Sequence, residues 1–327
     1  MCISCYIWRT LPNDMRRIIG IGETVLDIIF KNDRVLTAVP GGSTFNSLIS
    51  LGRTAGRDFP GVRILMVTET GGDHVGDIIC GFMRENGVET EAVTRNRGTQ
   101  SHISLAFLNE KNDAQYEFYK DHAHASLNAE NVSGLEFRSD DIVLFGSYFA
   151  INPVIRSFTG GLLKAAHRAG AIIYYDINFR RNHLADLDQT IGNIRENCCL
   201  SDFVRGSSED FDILTGGTAE DIYAKYVSPL CANLIYTRGA EPTEVFSEGF
   251  RAQYATRQIQ TVSTIGAGDN FNAGFIYAII AEGIRKEDCR HLTPAQWERL
   301  VRTASLFSAE VCRSTENYVG TAFEISL

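Results

Sequence analysis

Short apolar runs alternate with longer amphipathic segments along most of this chain. The runs are nearly continuous and rich in β-branched residues, as in strands that are buried on both faces of a parallel sheet. The pattern predicts strands at residues 18–21, 63–67, 141–145, 171–175, 203–204 and 233–237. Apolar positions at helical spacing predict helices at residues 45–55, 75–86, 154–169 and 208–214. This regular exchange of strand and helix predicts an α/β protein with a doubly wound layer sandwich.

Two segments break that rhythm. Residues 28–39 and about 90–119 alternate apolar and polar positions, the second around the turn-rich stretch EKND. Such alternation is typical of a hairpin and not of a strand-helix-strand unit. We therefore predict a small β-sheet lid, formed by about 28–40 and 90–120, over the ligand edge of the main sheet. Residues 16–327 are expected to form one domain that includes this lid, because no repeat or low-complexity linker divides them.

The composition indicates a cytoplasmic protein and does not exclude a small anionic ligand. A net charge of −9 argues against a nucleic-acid surface, and no run approaches the roughly 18 apolar residues of a membrane span. The eight cysteines are scattered, as in a protein with reduced thiols, and the CxxC at Cys2 and Cys5 has no second pair at zinc spacing. Residues 1–15 are predicted to be an extension before the fold, with Met15 as an alternative start.

The stretch STIGAGDNFNAGF places Gly266, Ala267, Gly268 and Asp269 at the start of a predicted helix. Small residues let backbone N–H groups approach an anion, and the helix adds the positive end of its dipole. Asp269 would then be placed to take the proton of a hydroxyl that attacks a phosphoryl group. The alternative is a glycine-rich turn in which Asp269 only caps the helix. No Gly-Lys-Ser/Thr follows, which argues against a P-loop.

A second glycine pair opens another predicted helix, in the stretch PGGSTFNSLISLGRTAG. The backbone of Gly41 and Gly42 can lie close to a polyol, and the Asn46 amide can both donate to and accept from neighbouring hydroxyls. Asp27, after the first strand, can accept hydrogen bonds from hydroxyls. The alternative is a tight strand-to-helix turn that the serine or threonine after Gly42 caps.

Together these stretches resemble the ribokinase-like sugar kinases, the PfkB family, from about residue 17 to the C-terminal helices. Residues 40–56 are similar to the family's first signature, and residues 263–275 are similar to its second, DTxGAGD. The resemblance implies a ribokinase-like three-layer α/β/α sandwich with a mostly parallel central sheet and a small β-sheet lid. It also implies transfer of a phosphoryl group from ATP, with Mg²⁺, to a sugar hydroxyl.

The resemblance also implies roles for single residues. Asp269 corresponds to the catalytic base, and Gly266, Ala267 and Gly268 correspond to an anion hole for the transferred group. The sugar is expected to contact Asp27, Gly41, Gly42, Asn46, Tyr119, Arg180 and Asp269. The nucleotide is expected to contact Asn178, Ser207, Thr237, Gly239, Gly266 and Gly268.

Two departures from the family pattern concern cations. Ser263 stands where the second signature has an acid that helps to hold a monovalent cation, so dependence on potassium is doubtful. The family's NxxE, which organises Mg²⁺ through water, appears as residues 206–209, with Glu209 as the remaining acid.

The stretches DINFR and YEFYKDHAHASL favour a fructokinase-like enzyme, with 2-keto-3-deoxygluconate kinase and ribokinase as alternatives. A relative of another class would bind sugar as a sensor without catalysis. An NAD-dependent dehydrogenase has weak support, because GIGETV at residues 20–25 lacks a third glycine. The expected partners are the sugar and ATP, and a homodimer through the lid is a further expectation.

Overall fold

The computed structural model describes residues 16–109, 114–119, 127, 132 and 134–325. The predicted extension at residues 1–15 and the HAHA stretch that follows the predicted lid segment lie outside these residues. The described residues form the strands β1 (Arg17–Ile21), β2 (Val25–Lys31), β3 (Arg34–Gly41), β4 (Arg63–Gly71), β5 (Val93–Asn96), β6 (Ile103–Leu108), β7 (Ala114–Tyr119), β8 (Ile142–Gly146), β9 (Ile172–Asp176), β10 (Phe203–Ser207), β11 (Asn233–Arg238), β12 (Glu241–Ser247) and β13 (Phe250–Tyr254).

The helices lie between the strands, as the sequence pattern predicts. They are α1 (Ser43–Arg53), α2 (Ala55–Asp58), α3 (His74–Glu85), α4 (Arg156–Ala169), α5 (Leu187–Leu200), α6 (Ser208–Leu214), α7 (Ala219–Ile222), α8 (Ala267–Ala281) and α9 (Pro294–Val311). Short 3₁₀ segments lie at Tyr148–Ala150, Arg181–Asp186 and Lys286–Arg290, and a π-helical turn, Tyr223–Val227, follows α7. Among the described residues, no helix is both long and apolar enough to span a lipid bilayer.

The larger of the two sheets that the described strands form has the order β13-β12-β11-β10-β9-β8-β1-β4-β5. Neighbours from β11 to β5 are parallel, whereas β12 and β13 add an antiparallel edge. The chain runs outward from β1 in one direction through β4 and in the other through β8. In such a doubly wound sheet, ligands bind beyond the carboxyl ends of the strands, near the point where the order reverses.

The core lies on both faces of this sheet, because successive side chains of a strand point to opposite faces. In β1, Ile18 packs with residues of α1, α3, α8 and α9. The next residue, Ile19, packs on the other face with residues of α4, α5 and α6. The predicted three-layer α/β/α arrangement is therefore confirmed.

A smaller sheet has the order β3-β2-β6-β7. β2 and β3 form a hairpin whose turn residues, Asn32 and Asp33, have φ angles of 51° and 58°, as tight hairpin turns require. One predicted boundary is wrong. β5 lies inside the predicted lid segment 90–120, yet it pairs in parallel with β4 and extends the main sheet. The small sheet resumes only at Ile103, and it also begins earlier than predicted, at Val25.

The two edge strands of the small sheet expose large apolar side chains. Val35 and Leu36 of β3 are exposed, as are Phe118 and Tyr119 of β7. Exposed apolar side chains on a sheet edge are a common feature of contact surfaces. The homodimer through this sheet remains a prediction.

Candidate active site

The glycine-rich loop leads directly into α8, at the carboxyl edge of the main sheet. Gly266 is the residue before the helix and has a φ of 74°. A Cβ at this position would lie 2.7 Å from the carbonyl oxygen of Asn317. Glycine is therefore required at position 266 both by its backbone conformation and by the close approach of another chain segment.

The first turn of α8 presents backbone amides to the site. No side chain caps this helix, so Asp269 is not the helix cap of the alternative interpretation. The Ala267 N–H donates to the Thr264 carbonyl at 3.2 Å. The N–H groups of Gly268 and Asp269 also lie in the first turn, where a helix offers them no internal acceptor. These two amides, more than that of Ala267, are placed to receive an anion.

The Asp269 carboxylate faces α1. The Ser43 hydroxyl donates to its Oδ1 at 2.7 Å, and the Asn46 amide donates to its Oδ2 at 2.9 Å. The Ser47 hydroxyl donates to the Asp269 carbonyl at 2.7 Å. These three donors have i, i+3 and i+4 spacing, so they share one face of α1. The structure thus joins the two predicted glycine-rich segments through one acid.

Sequence reasoning missed the roles of Ser43 and Ser47, although their helical spacing with Asn46 was visible. Ser43 was considered only within a capped turn, and that alternative is contradicted. The residue before α1 is Gly42, with a φ of 123°, and no side chain caps the helix.

Burial raises the pKa of Asp269 above its ordinary value. The hydrogen bonds from Ser43 and Asn46 oppose this shift, because they stabilise the charged carboxylate. The nearby charge of Arg180 acts in the same direction as these bonds. A carboxylate with a raised pKa is a stronger base than an ordinary aspartate, which suits proton abstraction.

A second acid, Asp27, projects from β2 of the small sheet and is only 8% exposed. The Ser104 hydroxyl of β6 donates to its Oδ1. The pKa of Asp27 is raised to about 6, mainly by burial and with help from the charges of Asp269 and Glu23, whereas the hydrogen bond from Ser104 lowers it. The effect of the Asp269 charge on Asp27 shows that the two predicted acids lie in one region. A Cβ on Gly41 would overlap the Asp27 carboxylate, which explains that glycine.

The loops after β8 and β9 bring a strained pair of polar residues to the same edge. Asn178 and Ser147 have φ angles of 40° and 56°. The Asn178 amide donates to the Ser147 hydroxyl at 2.8 Å. Residues other than glycine seldom adopt such angles, and they cluster at functional sites. Arg180, two residues on, is exposed and lies within electrostatic reach of Asp269.

Glu209, the acid predicted to bind Mg²⁺ through water, is exposed in the first turn of α6. The buried acid is its neighbour Asp210, whose Oδ2 accepts from the N–H and hydroxyl of Ser207 at 2.6 and 2.7 Å. The four-residue spacing of the predicted motif also fits residues 207–210, one position later. Ser207 therefore caps α6, and Asp210, not Glu209, is the buried acid, within electrostatic reach of Arg205 and Asp176.

A buried guanidinium that sequence reasoning missed lies beneath these loops. Arg205 of β10 donates to Asp176 Oδ1 at 3.0 Å and to Thr237 Oγ1 at 2.7 Å. The predicted strand ends at residue 204, but β10 continues to Ser207 and so includes Arg205. A charged residue within a buried strand was the sequence feature that could have identified it. A charge that stays inside a buried strand has to be paired there.

The turn after β11 and a nearby groove complete this edge. Gly239 has a φ of 57°, and no atom lies within 4 Å of the position of a Cβ. An open groove of about 850 Å³ lies beside the ends of β13 and α9, with Tyr254 and Phe323 on its walls. The Cys312 carbonyl, after α9, accepts from the N–H groups of Val262 and Ser263, which ties this groove to the loop before α8.

One predicted substrate residue is not brought to the acids. Tyr119 ends β7 with 58% of its side chain exposed, and its hydroxyl donates to Glu117 at 3.4 Å. The structure therefore brings together Asp27, Asn46 and Asp269 with the glycines of both loops, while Tyr119 lies on the surface of the small sheet.

The fold and this site define a class: a doubly wound α/β enzyme with an acid at a helix N-terminus, facing a second acid on a small sheet. Residues 15–320 match the sequence profile of the pfkB family carbohydrate kinases. The chain belongs to this family, and it is a phosphotransferase that acts on a sugar hydroxyl.

Individual relatives agree with this assignment. The chain is 23% identical to fructokinase-1 of Oryza sativa subsp. japonica over 293 residues, which cover 85% of this chain and 87% of that protein. The structure is similar to the fructokinase of Vibrio cholerae O395 with bound fructose, ADP and calcium ion, with a TM-score of 0.80, 18% identity, and coverage of 93% of this chain and 94% of that one. It is also similar to the ATP-bound fructokinase of Xylella fastidiosa, with a TM-score of 0.77, 21% identity, and coverage of 91% and 92%. The ribokinase-like fold is confirmed.

A glycine pair that flanks α8 tests the loop geometry. In Gly266→Ala, the new Cβ meets the Asn317 carbonyl, whereas in Gly283→Ala, after the helix, it meets nothing within 4 Å. Both positions have positive φ, which costs an alanine about 1–2 kcal/mol. We expect Gly266→Ala to lose more stability in urea unfolding than Gly283→Ala, and to lose kcat roughly 10- to 100-fold because the loop shifts. Equal stability losses with unchanged kcat in both variants would contradict this view of the loop.

Proposed function

We propose that this protein transfers the γ-phosphoryl group of ATP to a hydroxyl of a small sugar, with fructose as the favoured substrate. The single observation that carries the proposal is the Asp269 carboxylate, held by Ser43 and Asn46 beside the unpaired amides of the α8 N-terminus. A base and an anion-binding helix end on consecutive residues are what in-line phosphoryl transfer needs.

The sugar would lie between the small sheet and α8. Asp27 would accept hydrogen bonds from its hydroxyls, and the backbone at Gly41 and Gly42 would lie against it. Asp269 would take the proton of the attacking hydroxyl as the new O–P bond forms and the bond to the leaving ADP oxygen breaks. The amides of Gly268 and Asp269 would stabilise the charge on the phosphoryl oxygens during transfer.

The residues present fit a nucleotide along the carboxyl edge. The open space over Gly239 and the groove beside Tyr254 provide room for ribose and base. The strained loops at Ser147 and Asn178 would face the phosphates. The bound nucleotides in the Xylella and Vibrio fructokinases support ATP as the donor for this chain.

The site also fits a magnesium ion, which usually takes one or two protein carboxylates and completes its shell with phosphate oxygens and water. Asp210 and Asp176 are the buried acids on this side of the sheet. We therefore assign the water-mediated role to Asp210 in place of the exposed Glu209. When bound, the ion would neutralise part of the phosphate charge.

Fructose is favoured because the Oryza relative and the two solved structures named above are fructokinases. The test is ADP release from ATP and Mg²⁺ with fructose, 2-keto-3-deoxygluconate and ribose, each at several concentrations. The proposal predicts the highest kcat/KM with fructose. A higher kcat/KM with another sugar would show that this sugar, and not fructose, is the favoured substrate. Thermal stabilisation by a sugar without any turnover would favour the sensor hypothesis.

Potassium is expected to have no effect on turnover. The Ser263 hydroxyl accepts a hydrogen bond from the Ile265 N–H at 3.2 Å, so its oxygen already stabilises the loop before α8. A neutral hydroxyl attracts a cation far less than a carboxylate does. Initial rates measured in potassium, sodium or Tris chloride at equal ionic strength should be equal. A rate that rises with potassium and saturates would show that the loop holds a cation without the acid.

A further inference from the structure

The Arg205 side chain connects three parts of the proposed nucleotide site. Its guanidinium donates to Asp176 at the end of β9 and to Thr237 at the end of β11. Asp176 precedes the strained loop that contains Asn178, and Thr237 begins the turn that contains Gly239. Only 7% of Arg205 is exposed, so these bonds are shielded from water. A guanidinium has a rigid planar fork, so two such bonds fix its position.

The third connection is to the start of α8. A Cβ on Gly268 would lie 2.9 Å from Nη1 of Arg205 and 3.1 Å from Nη2. The guanidinium therefore lies directly against the backbone whose amides would face the phosphoryl group in the proposed reaction. Gly268 does not have a positive φ, so the close approach of Arg205, and not backbone conformation, explains this glycine.

The surroundings of Arg205 hold its charge and geometry. Asp176 also accepts from the Asn272 amide at 2.7 Å, and the Asn272 oxygen accepts from the Tyr174 hydroxyl at 3.0 Å. Asp210 adds a second negative charge that acts on Arg205. Without the guanidinium, Asp176 and Asp210 would place uncompensated acids next to an incoming phosphate, where like charges repel.

We propose that Arg205 is a positioning residue for phosphoryl transfer: it fixes the first turn of α8 relative to the nucleotide turn and offsets the acids beside it. This inference rests on the proposed function. The proposed sugar contacts Asp27, Gly41 and Asn46 lie on β2, β3 and α1, and Arg205 bonds to none of them, so Arg205 should affect kcat and nucleotide binding and change the KM for the sugar little.

The test compares Arg205 with a matched buried arginine far from the site. Arg17, at the amino end of β1, is 2% exposed and donates to both oxygens of Asp141 at 2.8 and 2.6 Å. Methionine and lysine are introduced separately at each position, which gives four variants.

For Arg205→Met we expect kcat with fructose to fall roughly 10²- to 10³-fold, the scale for the loss of transition-state electrostatics. Arg205→Lys should recover part of that loss, because it restores the charge without the fork. The Arg17 variants should lose stability but retain kcat.

A second readout does not depend on turnover. Stabilisation by ADP alone, and by ADP with aluminium fluoride and fructose, is measured by thermal shift in all four variants. The inference predicts a larger loss with aluminium fluoride than with ADP alone for the Arg205 variants, and no loss for the Arg17 variants. The inference would be overturned if the Arg205 variants kept the wild-type kcat. It would also be overturned if the Arg205 and Arg17 variants lost kcat and ADP stabilisation to the same extent. If Arg205→Met does not fold, Arg205→Lys decides by the same criteria. Wild-type protein without sugar-dependent turnover would instead refute the proposed function, and the ADP comparison would still decide the role of Arg205.

Discussion

Asp269→Asn is expected to reduce kcat about 10²- to 10⁴-fold, the usual contribution of a general base. The amide is nearly isosteric with the carboxylate but cannot take the proton of the sugar hydroxyl. Its oxygen can still accept from Asn46, and its NH₂ can donate to the Ser43 hydroxyl, which both donates and accepts. The variant should therefore fold, and its affinity for sugar, measured by calorimetry, should change little.

The pH dependence gives an independent signature of the same residue. Burial raises the pKa of Asp269, so the wild-type carboxylate becomes protonated at a higher pH than an ordinary aspartate. A protonated base is inactive, and kcat at saturating sugar, where the affinity that depends on Asp27 does not limit the rate, should fall as pH drops through that pKa. In Asp269→Asn, this limb of the profile should be absent.

Ser47→Ala is the matched control for Asp269→Asn. It removes the hydrogen bond to the Asp269 main-chain carbonyl and leaves the carboxylate unchanged. If Ser47→Ala retains the wild-type pH profile while Asp269→Asn loses its acid limb, the loss belongs to the carboxylate. Equal kcat in Asp269→Asn and wild type would remove Asp269 as the base.

Asp27→Asn should have two opposite effects, a weaker affinity for sugar and a more stable fold. Hydrogen bonds to a charged group contribute about 1.5–3 kcal/mol, so the loss of charge should weaken sugar binding roughly 10- to 100-fold. The gain in stability follows from the buried carboxylate, whose pKa is raised to about 6.

The sign of the stability change depends on pH. A raised pKa means that the folded protein disfavours the charged form, so ionisation of Asp27 destabilises the fold as pH rises from the unfolded pKa to about 6. Above that range the penalty is complete and amounts to about 3 kcal/mol at most, at 1.36 kcal/mol per pKa unit. Below the unfolded pKa it is absent. Asparagine carries no charge and avoids the penalty at every pH.

Thermal unfolding at pH 8 and pH 4 measures this difference. Asp27→Asn should have a higher Tm than wild type at pH 8, and the difference should shrink at pH 4. Ser104→Ala provides the control, because it removes the donor to the carboxylate and should lower the Tm at pH 8. A constant difference in Tm between Asp27→Asn and wild type at both pH values would contradict a buried charged Asp27.

Much of this fold could be predicted from local pattern. The strands of the parallel sheet are nearly continuous apolar runs, and the glycine-rich stretches identify both helix starts that meet at Asp269. Arg205 was not predicted because its pairing depends on Asp176 and Thr237, which are distant in the chain and meet only when β9, β10 and β11 align. Spacing within one strand gives no information about such neighbours.

Two other errors have similar physical causes. Alternation of apolar and polar residues predicts a strand but not the sheet that it joins, so β5 was placed in the small sheet although it pairs with β4. Adjacent acids in a helix point in directions about 100° apart, so the motif alone could not decide between Glu209 and Asp210. Packing of α6 on β10 and β11 buries Asp210 and exposes its neighbour.

The central claim is that the residues gathered at the α8 N-terminus transfer phosphoryl groups to a sugar. It is tested most directly by ³¹P NMR of the wild-type protein and Asp269→Asn, each with ATP, Mg²⁺ and fructose at equal protein concentration. The account predicts a new phosphate monoester resonance with wild type, growing as the γ-phosphate signal of ATP declines, and no such resonance with Asp269→Asn over the same time. A monoester that forms equally fast with both proteins, or wild-type protein that forms none with any sugar of the panel, would contradict it.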